Sequence, residues 1–250
     1  MIIAFAGKGG VGKSTISSQI IKRLSKKDLV LAVDADPNSN LGDKLGIETY
    51  GTIGTMRNEL VEDPDKVPAS VTKQEYIASR MMQTLGEGDN IDLLAMGMPE
   101  GKGCYCFVND VLRHCFAELI PRYNYTVVDN EAGMEHLSRG VLPKADVLVF
   151  VSDPTITGVK TAGRLSDLAD SMELPIERKV LVVNNVPASM GSDVPEVLRN
   201  EAAKHGLDEV FAVPHDEELV MSALNGEEIK IPADCPFSKA VDRLSQLITE

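Results

Sequence analysis

Residues 7–15 read GKGGVGKST, and no other stretch restricts the possible folds as strongly. The pattern G-x-x-x-x-G-K-[ST] falls on Gly7, Gly12, Lys13 and Ser14. An apolar run, "IIAFA", precedes it, and a helical pattern, "STISSQIIKRLSKK", follows. A strand that feeds a glycine loop and then a helix is built to hold a polyphosphate. Glycines let successive N–H groups face the phosphates, and the helix adds its positive end. Gly9, Gly10, Val11, Gly12, Lys13, Ser14 and Thr15 are therefore the expected nucleotide-binding residues. In this arrangement Lys13 supplies charge to the β- and γ-phosphates, and the Ser14 hydroxyl can ligate Mg²⁺.

The rest of the chain repeats the same alternation. "LVLAVD", "IDLLAMG", "YTVVD", "DVLVFVS", "KVLVVNN" and "VFAV" read as buried strands, most of them apolar at successive positions. Strands covered on both faces have that pattern. Helical patterns lie between them, as in "NDVLRHCFAELI", "TAGRLSDLADSM" and "DVPEVLRNEAAKHG". The expected architecture is α/β: one doubly wound, mostly parallel sheet flanked by helices, in a single P-loop domain over residues 1–250. Thr52–Asp89 is the least regular stretch, with "VEDPDKVPAS" as a loop between helical pieces. "FSKAVDRLSQLITE" puts Phe237, Val241, Leu244 and Ile248 on one face, as in a helix that closes the core.

A second lysine, Lys8, sits inside the phosphate loop, where an ordinary loop does not require one. With it the sequence resembles the deviant Walker A motif, K-G-G-x-G-K-[ST], of the MinD/ParA/nitrogenase iron protein class. That resemblance implies that Lys8 reaches across a homodimer interface to the partner's phosphates, coupling nucleotide to dimerisation; the plainer alternative is a solvated loop charge. In "AVDADPNSN", Asp34 and Asp36 end the second strand, where open α/β sheets bind ligands. The resemblance gives Asp36 the switch I role of orienting the attacking water or a Mg²⁺-bound water; the alternative is a helix N-cap. "YTVVDNEAG" ends a strand on Asp129, the Walker B pattern for Mg²⁺, and Gly133 fits the D-x-x-x-G of switch II. Related switches place an asparagine against adenine, which points to Asn184 or Asn185, with Pro214 lining the base; a turn role for the asparagines is the alternative. ATP hydrolysis with Mg²⁺ is the activity these motifs imply.

"GKGCYCFVND" places Cys104 and Cys106 one residue apart in a chain with four cysteines. In extended backbone the two side chains point the same way and can share one soft metal. Two thiolates alone leave a four-coordinate ion incomplete. A symmetric dimer supplies the other two. Taken together, the deviant Walker A loop, "DADPNSN", "GCYC" and "DNEAGMEH" resemble the CooC/AcsF type of nickel-inserting ATPases, which mature carbon monoxide dehydrogenase or acetyl-CoA synthase. The resemblance covers essentially the whole chain. It implies Ni²⁺, or Zn²⁺, held between subunits by a C-x-C loop at about 101–107, and a nickel enzyme as client. A redox dithiol or two buried small residues are the alternatives. Cys115 reads as core, Cys235 shows no partner spacing, and His136 stands near switch II without a metal motif.

Charge and patterning exclude other classes. A formal net charge of -13 argues against nucleic acid or an anionic membrane as partner. No secretory pattern opens the sequence and no apolar run approaches a membrane span, so the expected location is the cytoplasm. An iron protein-like reductase would place a cysteine near switch II, and "DNEAGMEH" contains none. A ParA/MinD-like positioning ATPase would explain the nucleotide motifs but leave the C-x-C pair idle.

Overall fold

The computed structural model describes residues 1–36, 40–63, 67–68, 70–97, 113, 116–132, 134, 140–172, 174–190, 193–225 and 231–250. Within them one sheet contains β1 (Ile2–Gly7), β2 (Val30–Ala35), β3 (Gly86–Gly88), β4 (Ile91–Ala95), β5 (Tyr125–Asn130), β6 (Ala145–Ser152), β7 (Ile176–Val186) and β8 (Glu209–Pro214). The spatial order is β3-β4-β2-β5-β1-β6-β7-β8. Neighbours run parallel except β3 and β4, which are antiparallel. This is the doubly wound sheet that the alternating pattern predicts. The chain winds to one side of β1 through β2 and to the other through β6. The carboxyl end of β1 is thus a switch point, where open sheets bind ligands.

Both faces are covered, which explains the near-continuous apolar strands. Every residue of β1 and β2 is buried. On one face Ile3, Phe5, Val127 and Val149 pack against α1 (Lys13–Leu24) and α8 (Pro236–Thr249). On the other, Ala4, Val128, Leu148 and Phe150 join residues of α3 (Ile53–Glu62), α4 (Lys73–Thr84), α5 (Ile156–Asp170) and α6 (Glu196–Ala203). The short α2 (Leu41–Leu45) follows β2, and α7 (Glu217–Asn225) follows β8.

The C-terminal helix closes the core as its periodicity predicts. Phe237, Val241, Leu244 and Ile248 are all buried beneath it. Arg23 ties α1 to α8, donating to the Ser238 carbonyl at 3.1 Å, the Ser238 hydroxyl at 2.9 Å and Asp242 at 2.5 Å.

The stretch expected to be least regular contains two capped helices. The hydroxyls of Thr52 and Thr72 each accept the N–H three residues on, and Thr55 and Glu75 return the bond, giving two capping boxes. Of "VEDPDKVPAS", expected as loop, Val61 and Glu62 instead end α3, and residues 64–66 and 69 lie outside the described residues. The three-residue β3 is an addition to the strands the sequence indicates. Gly86 is required by a crossing main-chain segment, and Gly88 faces the end of the Ile47 side chain. A Cβ on Gly86 would lie 2.4 Å from the Glu48 carbonyl oxygen, and one on Gly88 2.6 Å from Ile47. No helix among the described residues is long and apolar enough to cross a membrane.

Leu244 is fully buried between α8 and the sheet. Leu244→Ala should lower unfolding free energy by about 2–5 kcal/mol, the range for emptying a packed core position. Denaturant titration checks this, with an unchanged m-value indicating that only stability moved.

Candidate nucleotide site

The phosphate loop begins where β1 ends. Gly7 lies so close to β6 that a Cβ would come within 2.3 Å of the Val151 carbonyl oxygen. Gly12 precedes α1 with φ 95°, a left-handed conformation, and caps the helix with no side-chain bond. The first turn of α1 also carries no acidic residue. Helix N-termini usually recruit a carboxylate or hydroxyl to their free N–H groups. Here those donors are left for an external anion. Lys13 is 7% exposed, and its Nζ donates to the Lys8 carbonyl at 3.3 Å. A buried ammonium held by one long bond to a neutral acceptor is suited to a phosphate. Gly9 and Gly10 are exposed, as is Lys8, and Val11 is buried.

β7 braces the loop from below. Asn184 is 4% exposed, and its Nδ2 donates to the Val11 carbonyl at 2.8 Å. Its Oδ1 is buried without a hydrogen-bond partner. A Cβ on Gly12 would approach Asn184 Nδ2 to 2.3 Å, so the tight fit requires glycine. The pairing of β7 with β8 shifts register between Val183 and Val186, and Asn185 has φ 57° within that irregularity. The asparagines therefore diverge, Asn184 inward under the loop and Asn185 outward to solvent. The sequence singled out Asn184 as a base contact and missed this bracing bond. Its only hint is an amide at a strand end where an apolar residue would be ordinary.

Two carboxylates stand side by side at the carboxyl ends of β2 and β5. Asp34 and Asp129 are register partners, and each is 1% exposed. Burial is the main cause that pushes both carboxyls up to about 6; the charges of Asp36 and Asp43 add to it at Asp34, and those of Asp34 and Asp36 at Asp129. Asp34 is partly relieved by N–H donors from Leu41 at 2.9 Å and Asp36 at 3.1 Å. Asp129 is partly relieved by the nearby Ser14 hydroxyl and by Lys13, yet its Oδ1 has no partner. A buried, unsatisfied carboxylate oxygen beside a phosphate-loop serine fits a hard divalent cation. Ser14 and Asp129 would hold Mg²⁺, with Asp36 near. Among the described residues no group of three or more His, Cys, Asp or Glu could hold a metal ion. That suits Mg²⁺, which keeps waters and phosphate oxygens in its shell. Asn130, next to Asp129, is also buried and donates to the Phe5 carbonyl at 2.9 Å, a bond the sequence analysis did not foresee.

A cleft of about 820 Å³ opens beyond the ends of β7 and β8, lined by Val186, Ala188, Pro214, Asp234, Pro236 and Lys239 among others. Pro214 thus lines a cavity large enough for a nucleoside. The His215 N–H closes one wall by donating to the Val186 carbonyl at 2.9 Å. Cys104, Cys106, Cys115, Gly133 and His136 lie outside the described residues. Cys235 is the N-cap of α8, its sulfur accepting the Ser238 N–H at 3.3 Å, and burial pushes its thiol up.

Two outcomes are expected. Gly12→Ala should weaken nucleotide binding by about tenfold or more while the protein stays folded, because the methyl meets Asn184 and the left-handed backbone disfavours it; equilibrium titration with a fluorescent nucleotide measures this. Because Asp129 is raised in the folded state, its contribution to stability is present in acid and lost as pH rises through about 6. Without Mg²⁺ or nucleotide, Asp129→Asn should gain stability relative to the parent between pH 5 and pH 7.5, by on the order of 1 kcal/mol. Paired denaturation curves at the two pH values test it.

The geometry agrees with what the chain is similar to. The family described as CobQ/CobB/MinD/ParA nucleotide binding domain matches over residues 2–229. An uncharacterized ATP-binding protein of Methanocaldococcus jannaschii is 38% identical, covering 99% of this chain and 98% of that one. The carbon monoxide dehydrogenase accessory protein CooC of Rhodospirillum rubrum is 34% identical over 68% of this chain and 69% of its own length. The MinD cell division protein of Aquifex aeolicus superposes with a TM-score of 0.70 at 22% identity, over 100% of this chain and 97% of that one, a likeness of fold. The chain belongs to the CobQ/CobB/MinD/ParA family of nucleotide-binding domains and is a P-loop ATPase of the MinD/ParA type.

Proposed function

We propose that this ATPase is a nickel metallochaperone that works as a homodimer and delivers Ni²⁺ to a carbon monoxide dehydrogenase or acetyl-CoA synthase. The observation that carries the reading is the C-x-C pair, Cys104 and Cys106, in a chain whose phosphate loop also has the extra Lys8. Both features call for a second copy. The lysine needs a partner's phosphates to act on, and two thiolates need two more to complete a soft-metal site. The similarity to CooC over 68% of the chain supports the same reading. Its alternative, a ParA/MinD-like positioning ATPase, is favoured by the MinD-like fold and by the 26% identity to the Thermotoga maritima MinD over 99% of the chain.

In this reading Gly9–Thr15 wrap the triphosphate and Lys13 turns from the Lys8 carbonyl to the β- and γ-oxygens. Asn184 holds the loop from β7, Asn184 or Asn185 contacts the adenine edge, and Pro214 lines the base. Ser14, Asp129 and Asp36 hold Mg²⁺, which when bound neutralises charge on the transferring phosphoryl group. Asp36 orients the attacking water, and Gly133 offers its N–H to the γ-phosphate. Positioning and electrostatics do most of the work, as in phosphoryl transfer generally. Nickel is cargo. ATP closes the dimer around it and hydrolysis releases it, so metal and nucleotide affinities are linked reciprocally.

Reduced, metal-free protein is loaded with Ni²⁺, with and without ATP or ADP, beside a Cys104→Ser/Cys106→Ser variant. The expected result is about one nickel per dimer, thiolate-to-nickel absorption, and loss of both in the variant. Intact ATPase and dimerisation without thiolate-bound nickel would point instead to a nucleotide-switched positioning protein.

A further inference from the structure

We propose that Asp34 is a positioning residue for hydrolysis, whose carboxylate holds the main chain at Asp36 and acts through Asp36 instead of ligating Mg²⁺. The inference rests on the reading of Asp36 as the water-orienting carboxylate.

The geometry is that of a staple. Asp34 Oδ1 accepts the Asp36 N–H at 3.1 Å and Oδ2 accepts the Leu41 N–H at 2.9 Å. One side chain thus fixes the main chain both at Asp36, just after β2, and at Leu41, where α2 begins. Asp34 itself cannot drift. It is 1% exposed, its carbonyl accepts the Met96 N–H at 2.8 Å, and it pairs in register with both Ala95 and Asp129. The far end is anchored as well, since the Leu41 side chain is fully buried in the core on the α1 face.

The contrast with Asp129 separates the two roles. Each Asp34 oxygen already accepts a main-chain donor, whereas Asp129 keeps one buried oxygen without a partner. The residue type fits the task. Two N–H donors converge on one side chain, and a carboxylate alone offers two acceptor oxygens. Asparagine would keep one bond and set its own N–H₂ against the other donor. Alanine would release the main chain at both Asp36 and Leu41, and misplacement of a catalytic group by about 1 Å can cost up to about a hundredfold in rate.

The test uses full-length protein with Mg·ATP and the variants Asp34→Ala, Asp34→Asn, Asp36→Asn and Asp34→Ala/Asp36→Asn. Asp34→Ala should lower kcat by about tenfold or more, with KM for ATP and half-saturating Mg²⁺ within about twofold of the parent. Asp34→Asn should fall between the two. The double variant should be no slower than Asp36→Asn alone, because both changes disable one group. A rise of about tenfold in half-saturating Mg²⁺ in Asp34→Asn, which keeps the fold more surely than alanine, would make Asp34 a metal ligand and overturn the proposal. Unchanged kcat in Asp34→Ala, with only a lower melting temperature, would overturn it too and leave the role of Asp36 standing. Full activity of Asp36→Asn would instead remove the reading on which both depend.

Discussion

Two carboxylates buried shoulder to shoulder set the terms for the nucleotide end of this protein. Asp34 and Asp129 occupy paired positions on adjacent strands, away from water, where like charges repel with little screening. An apolar pair would make a more stable strand end. The surrounding arrangement can be understood as ways of offsetting that charge. Backbone N–H groups answer Asp34, and Ser14 and Lys13 answer Asp129 in part. What remains is a standing demand for positive charge next to the loop that binds phosphate. Nucleotide and cation therefore complete the electrostatics of the fold.

The phosphate loop is held in a comparable way from the other side of β1. Its backbone conformation is costly, with Gly10 and Gly12 both at positive φ. The Asn184 amide, pressed against Gly12 and bonded to Val11, helps hold that conformation before any ligand arrives. Preorganisation of this kind lowers the ordering cost of binding. It also ties the loop to β7 through one side chain.

Much of this was legible in the sequence, for identifiable reasons. The seven strands carry long apolar runs because both sheet faces are covered, and the final helix declares its buried face through Phe237, Val241, Leu244 and Ile248. Thr52–Asp89 was harder. Its helices are short, and their start signals are capping hydroxyls at Thr52 and Thr72, which apolar periodicity does not detect. At the site, the loop residues and Asp129 follow from motif and position. The bracing by Asn184 and the staple made by Asp34 do not, because both depend on contacts between residues far apart in sequence or on hydrogen bonds to main chain. A residue type can suggest a ligand contact without revealing that half of its side chain serves the protein itself.

The glycines of β3 have a consequence for how copies of this protein can meet. Over that strand the Glu48 main chain passes so close to Gly86 that no side chain fits between. The strand is three residues long and runs against its neighbour's direction. An incoming chain seeking to extend the sheet there finds a short ledge already overhung by the protein's own backbone. Open parallel sheets are templates for runaway strand addition unless their margins are blunted. Here that margin is only three residues long and carries an exposed carboxylate, Glu87, which an incoming strand would have to accommodate.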